Sequence, residues 1–264
     1  TNEKLLPWLA KAKEAPFFAW VHYFDPHTPY RPPAPFDGMF KSDDTLRAYM
    51  SERKFADKAE KQHAEGDVKG AKAWDSEEAI NRYDGEVRYV DDQFARVVAA
   101  LKEAGVWDRT VVVLTSDHGE GLGQHDWPNH GGYWREQFHV PLIMRIPGVS
   151  ARREPAPIST VDILPRLLAI CDRLPKAKFS AQASSLPPDT AGVIYSQTPG
   201  NSGSTIRTLT SERWRLVRRP GKGELLFDLS ADPFELKDVA SLHKEEGARL
   251  RNQLDAIVAA QSEN

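Results

Sequence analysis

Val111-Val112-Val113-Leu114-Thr115-Ser116-Asp117-His118-Gly119-Glu120 is the stretch on which the fold turns. Four apolar residues, mostly β-branched, run without alternation, which is the pattern of a strand covered on both faces in a parallel sheet. The run ends abruptly in a carboxylate, an imidazole and a glycine. In open α/β sheets ligands bind at the carboxyl ends of strands. The residues just past Thr115 therefore stand where chemistry is expected.

Upstream, Asp75 followed three residues later by Glu78 forms an N-terminal capping pattern. Ile80, Tyr83, Val87, Val90, Phe94, Val97 and Leu101 recur at steps of three and four, one stripe of an amphipathic helix, and Gly105 supplies its C-terminal cap. Residues 3–14 carry a helical pattern that ends before Pro16. Phe17 to Phe24 is a continuous apolar and aromatic run, read as a second buried strand opening into a loop with five prolines over 25–36. Residues 37–75 are highly charged and read as a solvated, partly helical excursion.

Downstream, residues 140–146 read as a strand stopped by Pro147-Gly148, and 158–170 as a helix. Composition shifts near residue 174. Residues 175–204 are rich in Pro, Ser, Ala and Gly around one short strand at 192–197. Strands at 205–210, 213–218 and 224–229 and a helix over about 243–260 follow, the spacing of a small antiparallel sheet with a helix on it. The expected fold class is α/β, with residues 1–174 in the core and 175–264 as linker and small α+β subdomain.

The bulk numbers exclude several functions. A net charge of -3 over 264 residues offers no positive field for nucleic acid. No apolar run approaches the roughly 20 residues of a membrane-spanning helix. The single cysteine, Cys171, rules out an internal disulfide. Gly119-x-Gly121-x-Gly123 lacks the third glycine of a dinucleotide fingerprint, where Gln124 stands, and no Gly-x-Ser-x-Gly elbow occurs. The chain opens Thr1-Asn2-Glu3-Lys4, without an initiating Met or a leader pattern, as a processed or truncated chain would.

Asp117 with His118 suits a hard-to-borderline divalent cation. The same pair also suits a turn cap beside an incidental histidine. The glycines at 119, 121 and 123 favour a site, because they let the backbone approach a ligand closely. His27, held between Pro26 and Pro29 just past the second strand, is a candidate that a stiff backbone would place well. A surface loop histidine fits it equally. His118, His125 and His130 fall within a dozen residues, a local density suited to metal, proton or oxyanion chemistry.

Together these segments resemble the sulfatases of the alkaline phosphatase superfamily. The likeness rests on Val21 to Tyr30, on Tyr83 to Asp91, on Thr115 to Gly123 followed by Val140-Pro141-Leu142-Ile143, on Thr160 to Pro165, on Leu226-Phe227-Asp228-Leu229, and on Asp232-Pro233-Phe234-Glu235-Leu236. It implies an alkaline phosphatase-like core, a mainly parallel sheet flanked by helices and incomplete in this chain, with a small C-terminal antiparallel sheet and helix. It implies that Asp117 and His118 are metal ligands, and that His27 and His130 are catalytic residues contacting the transferred group. His125 is implied as a substrate-side residue, and Glu86 and Asp91 as helix and core-polar partners. The implied cofactor is one divalent cation, Ca²⁺ foremost, with Mg²⁺, Mn²⁺ or Zn²⁺ as alternatives. The implied substrate is a small-molecule or glycan sulfate ester, and the implied location periplasmic or extracellular, with cytoplasmic left open.

The family's nucleophile, a formylglycine made from Cys or Ser in Cys/Ser-x-Pro-x-Arg, has no counterpart here; Cys171-Asp172-Arg173-Leu174-Pro175 is not that motif. The expectation is a chain that contributes part of a sulfatase, lacks an N-terminal portion that would be its partner, and is inactive alone. His118 in place of the Asn of many sulfatases leaves open a phosphodiester or phosphonate monoester hydrolase. A non-catalytic pseudo-sulfatase or interaction domain is the third reading.

Overall fold

The computed structural model describes residues 1–12, 15–53, 55, 75–154, 156–171, 192–200 and 204–262. Its helices are α1 (Asn2–Ala12), α2 (Asp44–Glu52), α3 (Ser76–Glu103), α4 (Arg135–Phe138), α5 (Ile163–Ile170) and α6 (Lys244–Ser262). Its strands are β1 (Val112–Thr115), β2 (Gly121–Leu122), β3 (Pro128–Asn129), β4 (Leu142–Arg145), β5 (Ile194–Pro199), β6 (Thr205–Thr210), β7 (Trp214–Arg219) and β8 (Gly223–Asp228). Among the described residues no helix is long and apolar enough to cross a membrane. The chain forms two compact units that interleave in sequence. One holds Thr1–Leu114, Glu120–Asn129 and Leu142–Val149; the other holds Thr115–Gly119, His130–Pro141 and Ser150–Asn264.

The first unit is organised by α3. The Asp75 carboxylate accepts the Glu78 N–H at 3.0 Å, the cap that the spacing of the two residues predicts. At the other end Gly105 takes a φ of +69° and donates its N–H to the Lys102 carbonyl, closing the helix where a side chain would be strained. α1 packs on α3 through a core of Leu9, Leu101 and Val106, flanked by Leu5, Phe17 and Val97. Asn2, buried at the start of α1, donates to the Gln93 carbonyl at 2.8 Å and accepts from the Tyr23 hydroxyl at 2.6 Å. β1 pairs with β4. Arg145 at the end of β4 donates to the carbonyls of Trp107 and Thr110, reaches Asp108 at 3.2 Å and lies over the Trp107 ring.

The second strand expected from sequence, Phe17 to Phe24, joins no ladder among the described residues. Phe17 packs edge-on against Trp8 at 5.5 Å, and Tyr23 reaches Asn2. Phe18 and Trp20 are 80% and 87% exposed. A continuous apolar run is buried on both sides only when layers cover both faces. Here one set of side chains finds cover on α1 and the alternate set does not.

In the second unit β5, β6, β7 and β8 form an antiparallel meander in chain order, as the close spacing of the four predicted strands implies. Register places Leu209 opposite Leu216 and Leu216 opposite Leu226, so all three share one face. α6 covers that face with Leu250, Leu254 and Ile257, a stripe at steps of four and three, and Val193 and Val239 complete the cluster. The other face of the sheet presents Thr208, Arg215, Val217 and Phe227, all buried. Residues 133–138 lie against it: Trp134 meets Phe227 at 6.2 Å, and the Arg215 guanidinium lies 5.7 Å from the Phe138 ring. The helix read from sequence over 158–170 is present as α5, preceded by a 3-10 turn at Thr160–Asp162.

Truncating a side chain that is fully enclosed between α6 and the sheet leaves a cavity. Leu254→Ala is expected to lower the unfolding free energy by about 2–5 kcal/mol, measured by urea denaturation at equilibrium. A loss near zero would show that α6 does not seal the sheet.

Candidate functional site

β1 ends at Thr115, and the chain turns at once through Ser116, Asp117 and His118. The Ser116 hydroxyl donates to the His118 carbonyl at 2.7 Å, and the His118 N–H donates to Asp117 Oδ1 at 2.9 Å. Burial pushes the Asp117 carboxyl up. The His118 N–H, the His118 imidazole and the Ser116 hydroxyl outweigh that push and hold it below its usual range. Asp117 is thus an exposed carboxylate, ionised at neutral pH.

His118 Nδ1 lies 2.9 Å from the Gly119 carbonyl oxygen. A carbonyl only accepts, so Nδ1 carries a proton, and in the neutral ring Nε2 is the nitrogen that presents a lone pair. That Nε2 stands 3.8 Å from Asp117 Oδ2. Two acceptors facing each other at this distance suit a cation between them, and carboxylate with imidazole is a donor set for a hard-to-borderline divalent metal. Among the described residues no group of three His, Cys, Asp or Glu converges.

His130 stacks on His118, ring centroids 4.2 Å apart with planes 28° from parallel. Gln137, on α4 and 3% exposed, joins the two backbones that carry them. Its carbonyl accepts the Gly119 N–H at 2.9 Å, and its side-chain oxygen accepts the Gly132 N–H at 2.5 Å. The Thr198 hydroxyl adds a bond to the Gly131 carbonyl at 3.4 Å. Gly119 is required by this packing, since a Cβ there would stand 2.0 Å from the Glu136 carbonyl oxygen. At Gly119 the close approach is to the protein's own backbone.

His27 and His125 belong to the first unit. His27 Nδ1 donates to the Thr28 carbonyl at 2.7 Å, again fixing the tautomer, and its ring lies 4.5 Å from that of Phe24. Its proline-rich loop is strapped to α3: the Arg31 N–H donates to Glu86 Oε1, and Gly85 leaves space that a Cβ would take from Pro32. Burial pushes the Glu86 carboxyl up, with Asp25 adding to the rise and the Arg31 N–H and His27 opposing it. Asp91 pairs with Arg88 on the helix surface at 3.0 Å. Glu120 faces a pair of tyrosines. Burial, then Glu120, push the phenol of Tyr30 far above its usual value, and burial with Glu120, Asp84 and Glu86 pushes that of Tyr83 up to about 12. His125 sits in a 3-10 turn, Gln124–Asp126, at φ +54°, a left-handed conformation uncommon for a residue with a side chain. β2 and β3 pair across that turn.

The Sulfatase family profile matches residues 2–172. Over 90% of its length the chain is 28% identical to the multifunctional alkaline phosphatase superfamily protein PehA of Trinickia caryophylli, covering 54% of that protein. It is 29% identical over half its length to an arylsulfatase of Clostridium perfringens, covering 28% of it. The phosphonate monoester hydrolase of Agrobacterium radiobacter superposes on 99% of the chain, with a TM-score of 0.73, 23% identity and 60% of its own chain covered. At that identity the likeness concerns the fold: an alkaline phosphatase-like core followed by a small antiparallel sheet and helix. The chain spans about half the length of PehA and less than two thirds of the other two.

Gly119→Ala is expected to part the two backbones that Gln137 joins. It should cost about 1–3 kcal/mol of stability and weaken the cross-ring NOE between His118 and His130. A melt and NOE unchanged from the parent would contradict the tight approach. Glu136 supplies a pH test. Burial, then Glu235, push its carboxyl up to about 7 from an ordinary 4.5, against the opposing pull of its own backbone N–H, Arg215 and Arg135. Because the folded value is raised, the unfolded chain loses its proton first. This group's contribution to stability is present below about 4.5 and lost as pH rises towards about 7, roughly 3 kcal/mol at most. Glu136→Gln should flatten that decline in urea titrations between these two pH values.

Proposed function

We propose that this chain, which belongs to the sulfatase family, forms part of a metal-dependent hydrolase of sulfuric esters. The observation that carries this reading is the facing of Asp117 Oδ2 and the lone pair of His118 Nε2, with His130 stacked on the same imidazole. Asp117 and His118 would hold one divalent cation, Ca²⁺ foremost. Such a cation, when bound, polarises the ester and offsets charge on its oxygens.

The residues of this chain do the remaining work in this reading. Asp117 brings a full negative charge to the site. His118, its Nδ1 proton committed to the Gly119 carbonyl, keeps its orientation. His130 and His27 contact and stabilise the transferred group, and one of them gives a proton to the leaving oxygen. His125 takes a substrate-side role. No Cys/Ser-x-Pro-x-Arg segment occurs in the 264 residues, so the nucleophile is not assigned to this chain, which is expected to be inactive alone. The substrate is a small-molecule or glycan sulfate ester, met in the periplasm or outside the cell.

A second reading, hydrolysis of phosphodiesters or phosphonate monoesters, is favoured by the imidazole at 118 and by the fold shared with a phosphonate monoester hydrolase. The whole protein of which this chain forms part in this reading, assayed with 4-nitrophenyl sulfate, bis(4-nitrophenyl) phosphate and a phenylphosphonate monoester, separates the two. Fastest turnover of the sulfate supports the first, of either phosphorus ester the second, and none with any of them sinks both. Asp117→Ala and His118→Ala should each lower the metal retained after dialysis, read by plasma mass spectrometry. Retention equal to the parent in both would remove the pair from the metal site.

A further inference from the structure

We propose that Arg215 and Glu235 are positioning residues that set the His118–His130 pair through the segment between them. The assignment rests on the reading of those two histidines as site residues. Arg215 lies on β7, on the sheet face turned away from α6, and is 1% exposed. One arm of its guanidinium donates to Glu235 Oε1 and the other to the Tyr133 carbonyl. Glu235, 2% exposed, uses its second oxygen to accept the Arg135 N–H at 3.0 Å. The Arg135 side chain returns to the Pro233 carbonyl at 3.1 Å. A carbonyl and an amide two residues apart are thus gripped by one buried ion pair, three and five residues after His130.

What is gripped leads directly to both histidines. Arg135 opens α4, whose Gln137 takes the Gly119 N–H on its carbonyl and the Gly132 N–H on its side chain. Moving α4 therefore moves the backbone beside His118 and the backbone beside His130. Apolar residues could fill the same space, and buried ion pairs seldom outdo them in stability. Apolar residues could not supply a donor for Tyr133 O and an acceptor for Arg135 N at fixed angles. Glu235 reaches its place from a left-handed φ of +56°, uncommon for a side-chain-bearing residue and kept only where the surroundings determine it.

The test uses the purified protein with labelled histidines. In Arg215→Met the cross-ring NOE between His118 and His130 should be lost while circular dichroism keeps the parent's helix and sheet content. In the whole protein of which this chain forms part, hydrolysis of 4-nitrophenyl sulfate should fall roughly 10- to 100-fold, and Arg215→Lys should restore part of both. A folded Arg215→Met that keeps the NOE overturns the proposal. Should that variant fail to fold, amide exchange in the unsubstituted protein decides. Protection of the Arg135 amide equal to that of β7 and β8 amides supports the grip, and exchange at the rate of an open loop overturns it. Neither magnetic readout involves substrate, so a whole protein with the NOE intact and no turnover would sink the hydrolase reading and leave the positioning role standing.

Discussion

An arginine enclosed within a protein must have its charge met, or the fold that encloses it is lost. Arg215 is the most voluminous of the fully buried side chains, and it projects from a strand whose opposite face is closed by α6. Its partners come from a turn after β8 and from the segment that follows His130. The charge thereby dictates what may lie on that face of the sheet. Satisfying it requires Glu235 and Tyr133 together, and with them the start of α4. The aromatic packing of Trp134 on Phe227 fills the space around a contact that electrostatics has already specified.

Much of the architecture was legible because it rests on periodicity and local chemistry. The helical period from Ile80 to Leu101, its Asp75 cap and its Gly105 stop are properties of consecutive residues, and α3 has them as read except that Val87 of the stripe is exposed. The same holds for the C-terminal meander, whose strands pair only with neighbours in sequence. Phe17 to Phe24 reads differently from how it folds, because an apolar run reports hydrophobicity and says nothing of what covers it. Trp20 is 87% exposed, whereas Leu9 is packed in a core with Leu101 and Val106.

The candidate site was legible in its composition and not in its wiring. Asp117 and His118 stand out by following a strand, and His130 by its nearness in sequence to both. That the imidazoles stack, and that the Gly119 carbonyl fixes which nitrogen of His118 keeps its lone pair, depends on loop geometry that no spacing encodes. Gln137 carried no signal at all. Its role comes from being buried where two loops meet, and a glutamine beside a phenylalanine announces nothing of the kind. Arg215 likewise sits among other arginines in β7 and differs from them only in facing inward.

The separations along the chain carry a consequence for how the molecule assembles. β5 to β8 pair with their neighbours in sequence, whereas Arg215 reaches back 82 residues to Tyr133 and Glu235 reaches 100 to Arg135. Contacts close in sequence form early in folding, and distant ones await the entropic cost of closing their loops. The meander can therefore mature while the histidine-bearing segment is still searching for it.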